Sequence, residues 1–346
     1  MPSVPAASFV YVGNAESNSI SALRLDRHSG AVTAIETVPI PGVATPGPTS
    51  PMAVRPDKRV LFVGIRSEPH LVASFAIDAA SGRLAHLGNG PLADAMAYIA
   101  TDRSGRFLLS ASYGGHKIAV NPIGPDGVVG AVQQIVPMTP NAHCILPDPA
   151  NRFVLATSLG GDVVNQFRFD PASGALTPNA PASVKVTDKA GPRHLVFHPS
   201  GKFAYLIGEL DGAIHVFDYD AGRGRLDETQ AVSALPPGFA GKPWAADLHV
   251  TPDGRHLYGS ERTSSTLAAF KIDPASGRLS MVGTYRTEKQ PRGFAIDPSG
   301  RYLLAVGQLS DSMTSYAIDG ADGRLTRLAE YPMGRNPNWI EIVDLP

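Results

Sequence analysis

The sequence has a single cysteine, almost no net charge and no long apolar segment. Cys144 alone excludes an internal disulfide framework. With 30 basic and 31 acidic residues the formal net charge is −1, so nothing suggests binding to nucleic acid or to a membrane surface. No apolar run approaches the roughly 18 residues that a membrane-spanning helix needs. Residues 1–8 are too few, and lack the basic start, for a signal peptide, so we expect a cytoplasmic protein.

The chain also lacks a G-x-S-x-G nucleophile elbow and any cofactor-binding motif. What it has is turns, with 35 glycines and 31 prolines. A turn that runs Asp, Gly and usually Leu recurs about every 49 residues, and a second turn of the Pro-Asp-Gly-Arg kind recurs in step with it. The glycines of the first turn are Gly30, Gly82, Gly127, Gly174, Gly224, Gly277 and Gly323. Two repeats with this period indicate one structural unit copied seven times.

Each unit reads as four short strands separated by tight turns, without helical periodicity. The clearest copy has apolar runs at 293–296, 302–306, 313–318 and 325–331. The amino-terminal end supplies three strands, at 9–12, 20–25 and 32–38, and the carboxyl-terminal end supplies one, at 338–343. We therefore predict an all-β fold in which residues 1–346 form one domain. That domain is a seven-bladed β-propeller of four-stranded antiparallel blades, closed by terminal strands that share one blade.

The two repeated turns of each blade lie at the same end of such a ring. The start of each first strand and the end of each second strand lie at the opposite end, where the repeats stop resembling one another. Varied loops on a rigid scaffold are where binding and catalysis usually occur. The charged and polar candidates at these positions are Arg66, His143, Arg193, His194, Glu209, Asp247, Arg262, Arg292 and Gln308. Because first strands line the channel, we expect these groups to converge on one mouth.

This set of side chains is typical of an anion site with acid–base groups. Arginines present charged forks to a carboxylate or phosphate and stabilise an oxyanion that forms on a carbonyl. Either His143 or Glu209 is a candidate for activating water. The pattern favours hydrolysis of, or proton abstraction from, a small anionic carbonyl compound. A metal site at Asp247, His249 and Glu261 has no supporting ligand motif, and we expect neither metal nor cofactor.

Structural roles compete with these assignments. A single arginine at a blade end is often a bridge to the next blade, and a lone histidine is often only a packed or exposed residue. Asp57, Asp148, Asp253 and Asp297 are interpreted as turn formers. The histidines interpreted as surface or turn residues are His28, His70, His86, His116, His198, His215 and His256.

Three stretches carry a resemblance to a known family. They are 191–199 (GPRHLVFHP), 244–258 (WAADLHVTPDGRHLY) and 290–294 (QPRGF). With them the chain resembles the seven-bladed propeller lactonases, and among these the bacterial propeller-type 6-phosphogluconolactonases. The resemblance implies metal-free hydrolysis of a sugar-acid δ-lactone in the oxidative pentose phosphate pathway.

The same family is similar to the fungal carboxymuconate cyclases, whose proposed site contains a histidine, two arginines and a glutamate. Carried over by motif, these fall on His143, Arg193 and Glu209, with Arg262 as the second arginine and Arg292 as its alternative. The resemblance therefore implies catalytic roles for His143, Arg193, Glu209 and Arg262. Arg66, His194, Asp247, Arg292 and Gln308 are then the expected substrate-binding residues.

One departure from the family leaves the substrate open. Relatives often carry Asp-Arg after the second strand of the fourth blade, whereas residues 159–163 keep Asp162 and lack the arginine. An unphosphorylated aldonolactone is therefore an alternative substrate. A muconate-type cyclase or lactone isomerase would use the same residues, and a non-enzymatic propeller that binds proteins is a third hypothesis. We expect a small anionic lactone as ligand, no nucleic-acid or membrane partner, and a monomer or weak homo-oligomer.

Overall fold

The computed structural model describes residues 7–42 and 44–345, and shows seven four-stranded antiparallel sheets arranged in a ring. Residues 1–6, part of the segment that we expect not to be a signal peptide, lie outside this description. Within the described residues, no helical segment has the length and hydrophobicity of a membrane span.

The blades are numbered in chain order. Blade 1 contains β1 (Ala7–Asn14), β2 (Ser19–Asp26) and β3 (Val32–Pro39); blade 2 contains β4 (Met52–Val54), β5 (Val60–Ile65), β6 (Leu71–Ile77) and β7 (Leu84–Pro91); blade 3 contains β8 (Met96–Thr101), β9 (Phe107–Ser112), β10 (Lys117–Pro122) and β11 (Gln134–Pro137). Blade 4 contains β12 (Ala142–Pro147), β13 (Phe153–Ser158), β14 (Val163–Phe169) and β15 (Leu176–Lys185), with a 3-10 turn at Leu159–Gly161; blade 5 contains β16 (Pro192–Phe197), β17 (Phe203–Gly208), β18 (Ala213–Asp220) and β19 (Arg225–Ser233). Blade 6 contains β20 (Ala245–Val250), β21 (His256–Glu261), β22 (Thr266–Ile272) and β23 (Leu279–Arg286); blade 7 contains β24 (Pro291–Ile296), β25 (Tyr302–Gly307), β26 (Ser312–Ile318) and β27 (Leu325–Pro332). β28 (Pro337–Val343) returns to blade 1.

The terminal strands close the ring as predicted. β28 pairs antiparallel with β1, with Val10 opposite Ile342 and Val12 opposite Ile340. β28 is therefore the innermost strand of blade 1, and it contacts both β24 and β4. The predicted seven-bladed propeller with a shared terminal blade is confirmed.

The core lies between blades. Second strands such as β5, β9 and β25 are buried along their whole length, because each blade is covered on both faces by its neighbours. Fourth strands such as β27 face solvent with most of their residues. The seven clusters of buried apolar residues correspond to the seven blade–blade interfaces, including the one between blades 7 and 1.

The recurring glycine does more than form a turn. Gly82 has a φ of +70°, and a Cβ there would lie 2.0 Å from the Phe9 ring of the preceding blade. The Tyr11 hydroxyl donates to the Gly82 carbonyl at 2.9 Å. The same contact recurs around the ring, where each glycine packs against the start of a neighbouring second strand: Gly30 against Tyr302, Gly127 against Val60, Gly174 against Phe107, Gly224 against Phe153, Gly277 against Phe203 and Gly323 against His256. The repeat therefore attaches one blade to the next.

The turn aspartates behave as predicted, but two histidines do not. The Asp148 carboxylate accepts the amides of Arg152 and Phe153 at 2.7 and 2.9 Å. His215, interpreted as a surface or turn residue, is fully buried between Asp211 and Glu228, because carboxylates on both sides of the ring satisfy its nitrogens. His256, interpreted in the same way, is buried against Gly323. Both interpretations are wrong.

Candidate active site

Three of the four residues expected to be catalytic meet at one mouth of the channel. Arg193 lies on β16, Glu209 directly follows β17, and Arg262 directly follows β21. Glu209 Oε2 accepts from Arg193 Nε at 2.8 Å and from Arg262 Nη2 at 2.7 Å. One carboxylate oxygen therefore joins two guanidinium groups from neighbouring blades.

Further contacts fix the two guanidinium planes. Arg262 Nε donates to the Trp244 carbonyl at 3.0 Å, and the guanidinium lies 3.9 Å from the centroid of the Trp244 ring. Arg193 is fully buried, and its Nη1 donates to the Ala246 carbonyl. Both arginines are held in place before any ligand arrives, which lowers the entropic cost of binding one.

Arg66 and Arg292 belong to the same positively charged cluster. Burial, and then the charges of Arg193, Arg262 and Arg66, hold the pKa of Arg292 well below its usual range. Burial, followed by the charge of Arg193, lowers the pKa of Arg262 to about 9. The same two causes, in the same order, lower the pKa of Arg66. Glu209 is the carboxylate that ion-pairs with this cluster in the described chain. The mouth therefore has a large excess of positive charge.

Several donors of the cluster have no acceptor. Arg193 Nη2, Arg66 Nε and Arg292 Nε are buried and make no hydrogen bond within the described part of the chain. Arg66 donates to Thr49 Oγ1 at 2.9 Å, whereas no hydrogen bond joins the Arg292 guanidinium to any described residue. Buried donors are nearly always paired, since an unpaired one costs free energy. These donors are therefore arranged for an acceptor that the chain does not supply, such as an anion.

Glu209 keeps one carboxylate oxygen available for a ligand or a water molecule. Burial alone would raise its pKa, but Arg193 and Arg262 offset this and hold the pKa below its usual range. The carboxylate is therefore ionised at neutral pH. Its Oε2 is occupied by the two arginines, whereas Oε1 accepts no hydrogen bond from a described residue.

His143, the fourth expected catalytic residue, lies beside this cluster on β12. It is 4% exposed, its ring lies edge-on to Tyr113, and it is tilted against His194 at 5.2 Å between centroids. Burial, followed by the charge of Arg193, holds its pKa well below the usual value. His143 is therefore neutral at pH 7, with its Nδ1 buried and without a partner in the described chain.

His194 and Asp247 form a second polar group next to His143. His194 Nδ1 bonds Asp247 Oδ1 at 2.8 Å, and His249 Nε2 bonds Asp247 Oδ2 at 3.2 Å. Burial, and then Arg193, lower the pKa of His194 to about 4. Burial alone would raise the pKa of Asp247, but the two histidines lower it overall. The His194 ring is therefore oriented by a carboxylate that accepts from its Nδ1, and its Nε2 is an acceptor without a partner in the described chain.

A small cavity of about 50 Å³ adjoins His194 and is large enough for one or two waters. It is lined by Tyr98, His194, Asp247, His249, Arg292, Gly293, Trp339, Ile340 and Glu341. Burial raises the pKa of Glu341 to about 7, although Trp339 Nε1 donates to its Oε1 at 3.0 Å. Glu341 therefore titrates near neutral pH inside the channel.

Gln308 is not joined to the arginine cluster. Its side-chain amide accepts from Gln290 and donates to Asn336, each at 3.0 Å. Gln308 therefore belongs to a hydrogen-bonded group formed by blade 7 and the segment that leads into β28.

Asp162 also has a structural role. Its carboxylate accepts the amides of Lys189 and Gly191 at 2.7 and 3.0 Å, and so fixes the loop that leads to Arg193.

No group of three or more His, Cys, Asp or Glu among the described residues is arranged to hold a metal ion. Glu261, a candidate metal ligand by sequence, accepts the Trp244 amide at 2.8 Å and contacts Ser264. It therefore supports the loop that carries Trp244.

The sequence interpretation missed three residues of the mouth. Trp244 lies in one of the stretches that carry the family resemblance but was given no role, yet its ring stacks with Arg262. Tyr113 faces His143, and Lys242 lines a pocket beside Glu209. Trp244 and Lys242 lie in the loop before β20, at the variable end of the ring, and this position is the signal that could have identified them.

Comparisons with known proteins agree with this geometry. Residues 9–342 match the family described as "Lactonase, 7-bladed beta-propeller". The chain is 42% identical to a 6-phosphogluconolactonase of Serratia proteamaculans, covering 96% of this chain and 98% of the relative. It is 40% identical to a 6-phosphogluconolactonase of Yersinia pestis, covering 96% and 97%. The solved periplasmic gluconolactonase of Pseudomonas aeruginosa is 31% identical, with a TM-score of 0.88 over 98% of this chain and all of that one. The chain therefore belongs to the seven-bladed β-propeller lactonases.

Proposed function

We propose that this lactonase hydrolyses a sugar-acid lactone, 6-phospho-D-glucono-1,5-lactone, to 6-phosphogluconate. The observation that carries the proposal is the set of buried, unpaired guanidinium donors around the single carboxylate of Glu209. Hydrolysis of a lactone develops negative charge on the carbonyl oxygen and ends in a carboxylate, so an anion site without its anion suits this reaction. The relatives named 6-phosphogluconolactonase support the choice of substrate.

In this proposal the free oxygen of Glu209 takes a proton from water as the water oxygen bonds to the carbonyl carbon. The carbonyl oxygen becomes negative, and the unpaired donors of Arg193 and Arg292 stabilise it. The ring C–O bond then breaks, the proton passes to the leaving alkoxide oxygen, and the open-chain acid forms. Arg262 positions Glu209 through their hydrogen bond.

His143 is the second candidate for the base, because its neutral ring has a buried nitrogen without a partner in the described chain. Glu209→Gln and His143→Gln distinguish the two. Losing the true base lowers kcat by about 10²- to 10⁴-fold. We expect the larger loss in Glu209→Gln, and the reverse order would assign the base to His143.

An unphosphorylated aldonolactone is the second candidate substrate. It is favoured by the absence of an arginine next to Asp162 and by the likeness to the periplasmic gluconolactonase. The test compares hydrolysis of 6-phosphogluconolactone, glucono-1,5-lactone and carboxymuconate by the purified protein. We expect the highest kcat/KM with the phosphorylated lactone. Turnover of carboxymuconate alone would replace the hydrolase with a cyclase, and no turnover of either lactone would contradict the proposal.

We further propose that the whole chain acts as one domain in the cytoplasm, and that the protein is a monomer or weak homo-oligomer. Limited proteolysis, cell fractionation and light scattering measure these three properties. A protease-stable fragment with activity, recovery in the periplasm or a tight oligomer would contradict the respective part.

A further inference from the structure

A second pocket opens beside Glu209, outside the buried arginine cluster. Its volume is about 280 Å³, close to the lower end of the range for small-molecule sites. It is lined by Glu209, Leu210, Lys242, Pro243, Trp244 and Thr263. Because Glu209 belongs to both, a ligand seated in this pocket lies against the carboxylate that holds Arg193 and Arg262.

Trp244 provides a fixed aromatic wall. Trp244 is 39% exposed, and the Arg262 guanidinium lies over one face of its ring. The Trp244 amide donates to Glu261 Oε1 at 2.8 Å, which fixes the backbone at this point. An exposed, immobile indole beside polar groups suits the C–H face of a sugar ring.

Lys242 provides a positive charge without a partner. Its carbonyl accepts from Thr263 Oγ1 at 2.9 Å, so the backbone position is fixed while the side chain is exposed. Its ammonium makes no ion pair with any carboxylate of the described residues. A lysine in this setting binds a phosphate as a point charge.

We propose that this pocket seats the sugar ring of the substrate, and that Lys242 binds the phosphate at its far end; the inference rests on the proposed lactonase function. The buried arginines are best placed at the carbonyl, because charge develops there only during the reaction. The phosphate carries its charge throughout, so a solvent-facing lysine is enough to bind it. Lys242 therefore determines the preference for a phosphorylated over an unphosphorylated lactone.

The test measures KM and kcat of Lys242→Met with 6-phosphogluconolactone and with glucono-1,5-lactone. Losing one charged contact to phosphate raises KM for the phosphorylated lactone by about tenfold, with kcat little changed. Both constants for the unphosphorylated lactone stay as in the wild type. Lys242→Arg, which keeps the charge, restores most of the affinity for the phosphorylated lactone.

Lys289→Met is the matched control, because Lys289 is an exposed lysine on the same side of the ring in the loop before β24. Its KM for both lactones stays unchanged. Three results would overturn the inference: an unchanged KM in Lys242→Met, an equal rise for both lactones, or the same effect in Lys289→Met. A wild-type protein that hydrolyses neither lactone would overturn the proposed function and this inference together.

Discussion

Replacing Arg292 by methionine is expected to make the protein more stable and less active. Arg292 is 8% exposed, is hydrogen-bonded to no described residue and is repelled by three neighbouring guanidinium groups. Methionine keeps the unbranched stem and removes the charge. A residue that served the fold would show the opposite effect on stability, so the sign of the change separates function from structure.

The expected magnitudes follow from the burial and the missing partners. Replacing buried charges by apolar residues of similar volume often stabilises a protein by about 1–4 kcal/mol. For a chain of this length we expect the Tm to rise by a few degrees. Removing one donor from an oxyanion site costs about 10²- to 10³-fold in kcat. We therefore expect at least a hundredfold loss of lactone hydrolysis.

Thermal unfolding at pH 7 and the release of acid from 6-phosphogluconolactone measure the two effects. Arg324→Met is the control, because the Arg324 side chain is 73% exposed and pairs with Asp322 in a turn at the far end of the ring. We expect little change in either quantity for the control. A lower Tm for Arg292→Met would show that Arg292 supports the fold, and unchanged hydrolysis would remove it from the site; either result refutes the reasoning.

Three further predictions concern other parts of the molecule. Glu209→Gln should lower kcat by about 10²-fold or more, because the proposed base is lost. It should also lower the free energy of unfolding in urea by about 3–5 kcal/mol, because two buried guanidinium groups lose their carboxylate. An unchanged free energy of unfolding would contradict this. Glu341, with its pKa raised to about 7, makes the wild type lose stability as the pH rises from about 4.5 through 7, by as much as about 3 kcal/mol. Glu341→Gln should remove that loss, and parallel pH curves for the two proteins would refute it. Gly82→Ala should lower the Tm, since its Cβ would meet Phe9 at 2.0 Å; an unchanged Tm would contradict the blade contact.

The blade count could be predicted because it depends on local chemistry. Aspartate, proline and glycine determine tight turns within a few residues, so the repeats are visible without tertiary information. The strands at 302–306 and 313–318 were predicted within one residue at each end. The packing of Phe9 against Gly82 was missed, because it joins residues that are distant in the chain and the turn role of the glycine already explained its presence.

The sequence predicted that several charged residues would lie close together, but it did not predict how they pair. Arg193, Glu209 and Arg262 were expected at the variable end of the ring, and the structure joins them through the Glu209 carboxylate. Two of the blade-to-blade contacts, His194 with Asp247 and Glu209 with Arg262, each span 53 residues. That is also the spacing of Gly224 and Gly277. Because equivalent positions on adjacent blades are one repeat apart, the repeat length indicates which residues of neighbouring blades lie next to each other.

The error at His215 has a physical cause. His215 has the composition of a surface residue around it, with Asp211 and Asp218 nearby in sequence, yet Asp211 and the Glu228 carboxylate from the next strand enclose it. Polarity in the sequence predicts exposure only when the polar groups do not satisfy one another. Gln308 shows the converse, since it lies at the expected end of the ring but its amide is occupied by Gln290 and Asn336.

The buried charge of the mouth depends on closure of the ring. The four arginines come from blades 2, 5, 6 and 7: Arg66, Arg193, Arg262 and Arg292. Their mutual repulsion favours separating those blades, and only Glu209 bridges two of them by ion pairs within the described chain. The apolar interfaces between all seven blades, sealed by β28 against β1, hold the charges together. A propeller can therefore keep a partly unpaired cationic cluster buried. The free energy that holds the arginines together comes from the packing of all seven blades and not from contacts within the site.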